Sequence, residues 1–334
     1  MRVDRIIVGE VRGDETVDMI SSAMLNEHSG SMSTGHANNP TDMLHRLETM
    51  MLMGIDLPLA AVQRQIASAL DIIIHLGRLR DKSRKVLQIT EIEKYESGKI
   101  HTRTLYEFRE EYDDMEVHIQ MDESRGLHYV LKDGKRLYFR RNTPLDKIAR
   151  NYRELVMEQD KRSPHHYLES IKEVTGKTFV DIGCAEGYSS LEVVEEVGHV
   201  YLFEQDELWI EALKATFSPW QEKVTIVRKY VSDHNSATEQ TLDDFFKDKD
   251  KEHLFLKMDV EGAERYALAG CKGLFKECKQ LDFAICTYHE EDDEAVITTF
   301  LKQFGCTYRN QKGYFRHKVR SVVLRGCKGC DVIV

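Results

Sequence analysis

The 334-residue sequence contains few prolines, no cysteine in its first half and no excess of positive charge. With 5 prolines and 20 glycines, it is neither a collagen-like nor a low-complexity chain. A formal net charge of −10 gives no long-range attraction to nucleic acid or anionic lipid, so neither is an expected partner. No apolar run approaches the roughly 20 residues that span a bilayer, and charges interrupt the N terminus where a signal peptide would be apolar. We therefore expect a cytoplasmic protein without a membrane span.

The seven cysteines are an odd number, and all of them follow position 183. Such a set favours reduced thiols over a disulfide framework. Cys327 and Cys330 form a lone C-x-x-C pair, which supplies two ligands where a closed zinc site needs four. We therefore predict no metal site at this pair and interpret it as an exposed turn.

Composition and periodicity divide the chain into five parts. Residues 1–112 alternate short strands with helices, and residues 113–126 are acidic and polar, which favours a linker. Residues 127–177 form a leader to the last large part. Residues 178–326 alternate strands and helices regularly, a pattern that predicts a parallel, doubly wound α/β sheet. Residues 327–334 remain as a tail.

Turn residues place several elements within these parts. Ser97-Gly98 and Asp133-Gly134 lie between alternating runs and predict β-hairpins. Pro40 stands where a helix through position 53 would begin, as helix starts prefer, and a second helix is predicted over 146–159. The last strand is predicted over 321–324.

A glycine turn in the C-terminal half points to a nucleoside ligand. An apolar strand leads into Asp181-Ile-Gly-Cys-Ala-Glu-Gly187, where the glycines permit a tight turn and a close approach to a ligand. Ala185 replaces the middle glycine of G-x-G-x-x-G, which normally admits a pyrophosphate. The next strand ends at Glu204, whose carboxylate can accept hydrogen bonds from both ribose hydroxyls. The pattern therefore predicts adenosine without pyrophosphate, as in S-adenosylmethionine.

In this interpretation Asp181 and the backbone at Gly183 face the methionine end of the cofactor, and Glu204 holds the ribose. The alternative is an ordinary turn followed by a surface glutamate. Trp209, on the helix after Glu204, is interpreted as part of the hydrophobic core.

Five segments of this half stand in the order found in FkbM-type methyltransferases, which the chain resembles over about residues 125–326: 179–187, 202–204, 231–233, 241–245 and 257–264. The resemblance implies a class I methyltransferase-like fold and S-adenosylmethionine-dependent O-methylation, often of a sugar or small metabolite. Gln205 departs from the family, which usually has proline there. By the resemblance, the cofactor-binding residues are Asp181, Gly183, Glu186, Gly187, Glu204 and Asp233. Asp233 would lie near the adenine, although it could equally be a turn residue.

Three side chains are candidates for the base that removes the proton of the methyl acceptor. Ligands of doubly wound sheets bind beyond the carboxyl ends of the strands, where Asp259, Glu261 and His289 are predicted to project. Asp259 could alternatively cap the next helix, and Glu261 could act only on that helix's dipole. Asp259 with His289 or Glu290 could hold a divalent cation, but nothing in the spacing requires one.

The N-terminal segment resembles CpaF-like type II/IV secretion ATPases over about residues 1–112, through the runs at 5–13, 30–38, 46–50 and 65–71. The resemblance implies a partial RecA-like α/β fragment. It also implies that Glu10 activates water or acts through magnesium, and that His36 senses the γ-phosphate. Such a motor needs G-x-x-x-x-G-K-[ST] to hold phosphates, and the sequence has no such motif. We therefore expect poor nucleotide binding.

Together these features predict a truncated ATPase remnant fused to a methyltransferase that acts on a sugar or small molecule. The main alternative is an ATPase-related secretion protein, against which the missing phosphate motif argues. A nicotinamide oxidoreductase and a non-catalytic interaction protein are further alternatives. Because half of an ATPase domain would expose sheet edges and apolar surface, we also expect that the N-terminal segment can drive self-association.

Overall fold

The computed structural model of the chain describes residues 6–24, 30–78, 84–108, 112, 115–315 and 318–329. The chain divides into two compact units, Met1–Glu110 and Glu111–Val334. Within the described ranges, no helix has the length and apolarity needed to cross a bilayer.

The first unit pairs two short parallel strands and packs helices beside a three-stranded antiparallel sheet. Its elements are β1 (Ile7–Val8), α1 (Thr16–Asp18) followed by a π-helix (Met19–Met24), β2 (Met32–Ser33), α2 (Pro40–Gly54), α3 (Leu59–Ala69), β3 (Ile72–Arg78), β4 (Arg84–Glu96) and β5 (Lys99–Glu107). Pro40 begins α2 as predicted, and the Asn39 side chain accepts a hydrogen bond from the Asp42 backbone N–H at 2.8 Å. Ser97 and Gly98 both have positive φ, +54° and +85°, which confirms the hairpin between β4 and β5.

The second unit begins with a small antiparallel sheet and one long helix. Its first elements are β6 (Ile119–Asp122), β7 (Leu127–Lys132), β8 (Lys135–Tyr138) and α4 (Leu145–Glu158). The hairpin at Asp133-Gly134 is present as predicted. However, β6 lies inside residues 113–126, which the sequence predicted to be a linker. Pairing with β7 turns this polar segment into an edge strand, so the linker prediction is wrong for β6.

The rest of the second unit contains a seven-stranded sheet with helices between its strands, and a separate two-stranded parallel sheet. Its elements are β9 (Thr178–Ile182), α5 (Tyr188–Val193), β10 (His199–Phe203), α6 (Glu207–Thr216), β11 (Val224–Val227), β12 (Tyr230–Val231), β13 (Glu239–Gln240), α7 (Leu242–Phe245), β14 (His253–Met258), α8 (Glu264–Ala269), α9 (Lys272–Glu277), β15 (Gln280–Cys286), α10 (Asp293–Gln303), β16 (Thr307–Phe315) and β17 (Lys318–Lys328). The strand order is β11-β10-β9-β14-β15-β17-β16, and only β17 and β16 pair antiparallel to their neighbours. The doubly wound α/β fold predicted for this half is confirmed.

Alternation along the central strands fills a core on each face of the sheet. On β9, Phe179 packs into one buried cluster, whereas Val180 and Ile182 pack into the other. The chain runs from β9 outward to β11 and then returns to the other side of β9 at β14. This reversal opens a crevice at the carboxyl ends of β9 and β14, where doubly wound folds bind their ligands.

The C-terminal region differs from the prediction in two respects. The strand expected at 321–324 is longer, β17, and it pairs along its length with β16, which the sequence did not indicate. Cys327 lies on β17 and is disulfide-bonded, whereas five other cysteines are free thiols. The prediction of reduced thiols in an exposed turn is therefore wrong for Cys327, while Cys330 lies outside the described residues.

Candidate active site

A cavity of about 850 Å³ opens at the carboxyl ends of β9, β10 and β14. Most of the predicted cofactor-binding residues line it together: Asp181, Gly183, Glu186, Glu204 and Asp233. Gly187 is absent from the lining; a Cβ there would stand 2.8 Å from Leu213 and Phe217, so this glycine serves close helix packing. Of the three candidate bases, Asp259 and Glu261 line the cavity and His289 does not.

Steric constraints set the shape of the glycine turn. Gly183 has φ of +74°, and a Cβ there would lie 2.0 Å from the backbone oxygen of Asp259. Only glycine therefore lets the turn after β9 pass against the loop after β14. Ala185 also has positive φ, +45°, and its N–H donates to Glu204 Oε2 at 3.1 Å.

Asp181 stabilises this turn through buried contacts with Lys257 and Ser190. It is almost completely buried, with Oδ1 2.9 Å from Lys257 Nζ, and Ser190 Oγ donates to Oδ2 at 2.6 Å. Lys257 Nζ also donates to the Gly183 carbonyl at 2.7 Å. Burial disfavours the ammonium, but the carboxylates of Asp181 and Asp259 outweigh it and raise the pKa of Lys257. The buried pair thus fixes the floor of the cavity.

Glu204 connects the ends of β9 and β10. Its Oε1 accepts hydrogen bonds from the N–H groups of Gln205 and Asp206, at 2.8 Å and 2.9 Å, in addition to the Ala185 contact. Beside it, Gln205 Oε1 is buried and has no hydrogen-bond partner among the described residues. A buried acceptor without a donor is costly unless a ligand supplies one. Gln205 and Glu204 therefore form a place for hydroxyl or amino donors.

The cavity lining also includes two ion-paired carboxylates and an aromatic ring. His234 lies between two carboxylates, with Nδ1 2.8 Å from Asp233 Oδ1 and Nε2 2.9 Å from Glu239 Oε2. The hydrogen bond to His234 lowers the pKa of Asp233. Trp209 lines the cavity here, with the Arg140 guanidinium 4.6 Å from its ring centroid. Trp209 also packs against the hydrophobic core as predicted, and helix periodicity alone could not show that it borders a cavity as well.

Asp259 lines the cavity directly after β14, with 18% of its side chain exposed. Tyr167 Oη donates to its Oδ2 at 2.8 Å, and Tyr288 Oη donates to its Oδ1 at 3.4 Å. Burial opposes ionisation, but Lys257 and the surrounding donors outweigh it and lower the pKa of Asp259. The group is therefore an ionised, oriented carboxylate facing the cavity.

His289 lies behind Asp259. Only 3% of its side chain is exposed, its Nδ1 is 2.8 Å from Glu264 Oε1, and its Nε2 is 3.6 Å from Asp259 Oδ1. Burial favours the neutral ring, but the Glu264 carboxylate outweighs it and raises the pKa of His289. An imidazole that is paired to a carboxylate and does not line the cavity is poorly placed to take the acceptor's proton, so this geometry favours Asp259.

Glu261 and Glu264 are three residues apart but differ strongly in solvent exposure. Glu261 has φ of +53° and an 84% exposed side chain at the cavity mouth. Glu264 is fully buried and accepts hydrogen bonds from the N–H groups of Val260 and Gly262, at 3.0 Å and 3.1 Å. Asp259, Glu264 and His289 bring possible ligand atoms within 4.8 Å of one another. Because Glu264 is committed to the backbone and to His289, we interpret this group as bracing the loop.

Sequence reasoning missed several cavity residues contributed by the leader and by the end of β15. Glu158, His165, Tyr167 and Tyr288 all line the cavity. His165 Nε2 lies 3.0 Å from Tyr288 Oη, a contact between residues 123 positions apart. The local sequence at 163–166, with Pro164 and two adjacent histidines, predicts only a turn or a helix start and gives no sign of a site.

In the first unit, the two predicted ATPase residues lie in contact. His36 Nε2 is 2.9 Å from Glu10 Oε1, and Arg12 is 2.6 Å from Glu10 Oε2. The Arg12 hydrogen bond lowers the pKa of Glu10. Arg46 donates to the His36 carbonyl at 2.9 Å and holds that loop beside β1.

Two protein-family models match the chain. The type II/IV secretion system protein family matches residues 1–187, and the methyltransferase FkbM domain matches residues 181–309.

Curated relatives match about a third of the chain. A conjugal transfer protein of Mycobacterium tuberculosis is 38% identical over 106 residues, which is 32% of this chain and 29% of that protein. The conjugal transfer protein TrbB of Sinorhizobium fredii is 33% identical over 113 residues, 33% of each chain. The chain thus spans only about a third of the length of these relatives.

Solved structures similar to the chain include an FkbM methyltransferase from Methylobacillus flagellatus, with a TM-score of 0.39 and 17% identity over 54% of this chain and 60% of that one. They also include the VirB11 ATPase of Brucella suis, with a TM-score of 0.25 and 28% identity over 27% and 28% of the two chains. From the family matches, the chain belongs to the type II/IV secretion system protein family over residues 1–187 and carries a methyltransferase FkbM domain over residues 181–309.

Proposed function

We propose that the second unit is an S-adenosylmethionine-dependent methyltransferase that methylates a hydroxyl group of a sugar or small metabolite. The observation that carries this proposal is the convergence of the glycine turn, Glu204 and an ionised Asp259 on one cavity. The methyltransferase FkbM domain match supports the same reaction class.

The cavity residues suit the parts of the cofactor. The unpartnered Gln205 Oε1 and the Glu204 carboxylate offer acceptors for ribose hydroxyls. Asp233 and Trp209 would border the adenine, and the turn at Gly183 would face the methionine end. When bound, S-adenosylmethionine supplies an electrophilic methyl group on a sulfonium.

Asp259 would accept the proton of the acceptor hydroxyl. Lys257 keeps its carboxylate ionised, and Tyr167 fixes its orientation through the hydrogen bond to Oδ2. A carboxylate held near the acceptor oxygen can remove its proton without first having to diffuse into position, which lowers the entropic part of the barrier. With its imidazole paired to Glu264, His289 would position the loop instead of taking the proton.

Methyl transfer from labelled S-adenosylmethionine to a panel of sugars and hydroxylated metabolites tests this proposal. We expect Asp259→Asn to lower kcat about 100-fold or more on any acceptor found, because general-base catalysis contributes factors of this size. Glu261→Gln, at the exposed mouth, and His289→Gln serve as comparisons with smaller expected losses. A larger loss in His289→Gln than in Asp259→Asn would move the base to His289. Cofactor binding without turnover on any acceptor would indicate a non-catalytic binding protein.

The first unit supports a second candidate function, an ATPase-related role in secretion. The contact between Glu10 and His36 and the family match over residues 1–187 favour it. The sequence has no phosphate-binding G-x-x-x-x-G-K-[ST] motif, which argues against hydrolysis. Magnesium-dependent ATP hydrolysis that Glu10→Gln abolishes would establish this function, whereas its absence would leave the methyltransferase alone.

A further inference from the structure

Three of the carboxyl groups that line the cavity lie close enough to influence one another's ionisation. Glu186 belongs to the glycine turn, Glu158 ends α4, and Asp259 follows β14; all three line the cavity. Two lysines also line it, but Lys257 Nζ contacts Asp181 and the Gly183 carbonyl, while Lys229 Nζ donates to the backbone carbonyls of Ser236 and Glu239. The cluster therefore presents carboxyl groups to a ligand, and the nearby ammonium groups are already engaged.

A buried histidine nitrogen beside this cluster also lacks a hydrogen-bond partner among the described residues. His165 is 5% exposed, and its Nδ1 has no hydrogen-bond partner among the described residues. The nearest carboxylate to this atom is Glu158 Oε2, at 3.7 Å, which is beyond hydrogen-bond range. The Glu158 carboxyl is thus close to, but not held by, its neighbour.

The two glutamates differ from Asp259 in their protonation. Burial, followed by the charge of Asp259, raises the pKa of Glu158 to about 8. Burial also raises the pKa of Glu186 to about 7, with Asp181 and Asp259 adding to the effect and Lys257 opposing it. The charged and titratable groups that face these two carboxyls from the surrounding elements are Glu154, His165, Asp181, Lys257 and Asp259.

We propose that Glu158 and Glu186, with Asp259, distinguish the positively charged sulfonium of S-adenosylmethionine from the neutral thioether of S-adenosylhomocysteine, and that they release protons when the sulfonium binds. This inference rests on the proposed function, since it places that cofactor in the cavity. Asp259 must face the acceptor oxygen in line with the transferred methyl, so the sulphur lies at the end where the three carboxyls meet. Loss of the methyl group removes the sulphur's charge and with it the attraction, which favours product release.

The pH dependence follows from linkage. A cation beside a neutral carboxyl favours its ionised form, so sulfonium binding lowers the pKa of Glu186 and Glu158 and expels protons. Affinity for the sulfonium must then rise with pH across the range in which these groups ionise. The thioether carries the same amino and carboxylate groups but no charge on sulphur. The ratio of the two affinities therefore isolates the effect of the carboxyl cluster.

The test is isothermal titration calorimetry of the intact chain with S-adenosylmethionine and with S-adenosylhomocysteine at pH 6.0, 7.0 and 8.5. We expect the preference for the sulfonium to grow about fivefold or more from the lowest to the highest pH, as linkage to one carboxyl of this kind predicts. Repeating the titrations in phosphate and in Tris, whose ionisation enthalpies differ, should reveal proton release with the sulfonium only.

Conservative variants separate this inference from the proposed function. Glu186→Gln should flatten the pH dependence of the ratio of the two affinities, and Glu158→Gln should reduce it. Glu207→Gln, which removes an exposed carboxyl outside the cavity, should behave as the wild type. Two results would overturn this inference and leave the proposed function standing. One is an affinity ratio of the two ligands that does not depend on pH in the wild type. The other is a full pH dependence of that ratio in the double variant that carries both Glu158→Gln and Glu186→Gln. Failure of both ligands to bind would overturn the proposed function instead.

Discussion

At the residue scale, the Glu204 carboxylate both faces the cavity and accepts three backbone hydrogen bonds. We predict that Glu204→Ala weakens S-adenosylhomocysteine binding at least tenfold, since charge-assisted bonds contribute on the order of 1.5–3 kcal/mol. Calorimetry measures the dissociation constant. Glu207→Ala, three residues later on the surface, is the matched control and should change nothing. An unaltered dissociation constant in Glu204→Ala would remove this residue from the site.

Glu186 gives the second residue-scale prediction, on stability. Its pKa is raised from 4.5 to about 7, so the folded state keeps a proton that the unfolded state loses as pH rises between these values. This carboxyl therefore contributes a stability penalty that is absent below pH 4.5 and fully present above pH 7. Glu186→Gln removes the penalty and should raise the Tm of the second unit by about 2–4 °C at pH 8.

Thermal unfolding of Glu186→Gln and wild type at pH 4.5, 6 and 8 measures this effect. The difference in Tm should be close to zero at pH 4.5 and should increase with pH. Glu195→Gln, at an exposed glutamate near Lys135, is the control and should show no such trend. A difference of equal size at all three pH values would contradict the account.

At the scale of elements, the turn after β9 is the most constrained feature of the site. Gly183→Ala would place a Cβ 2.0 Å from the Asp259 carbonyl oxygen, in addition to the cost of positive φ. Gly176 has almost the same φ, +73°, but open space around it, so Gly176→Ala carries the backbone cost of about 1 kcal/mol alone. We predict a clearly larger loss of stability and of cofactor binding for Gly183→Ala. Equal losses in urea unfolding would show that the two turns do not differ in packing.

The elements also show which features of the fold the sequence alone could predict. The β9 turn, the Glu204 strand end and both hairpins were predictable, because glycine conformation and strand periodicity are local properties. β6 and β16 were missed, since their polar residues become strands only by pairing with β7 and β17. His165 and Tyr167 reached the site unpredicted for the same reason, as their partners lie around 100 residues away along the chain.

At the scale of the whole molecule, the chain carries two compact units with different family matches. In the part of the chain that the structure describes, all the residues that line the cavity belong to the second unit. We therefore predict that residues 111–334, produced alone, bind S-adenosylhomocysteine within about twofold of the full chain, a difference well below the 1.4 kcal/mol that corresponds to tenfold. A tenfold weaker dissociation constant would mean that the first unit contributes to the site.

The cavity in the second unit is central to this account, and one competition titration tests it most directly. The full chain is titrated with S-adenosylhomocysteine by calorimetry, alone and in the presence of saturating NAD. We predict saturable binding to one site that NAD leaves unchanged, because Ala185 stands where a pyrophosphate would need glycine. Binding of NAD with displacement of S-adenosylhomocysteine, or no binding of S-adenosylhomocysteine at all, would contradict the assignment of this cavity.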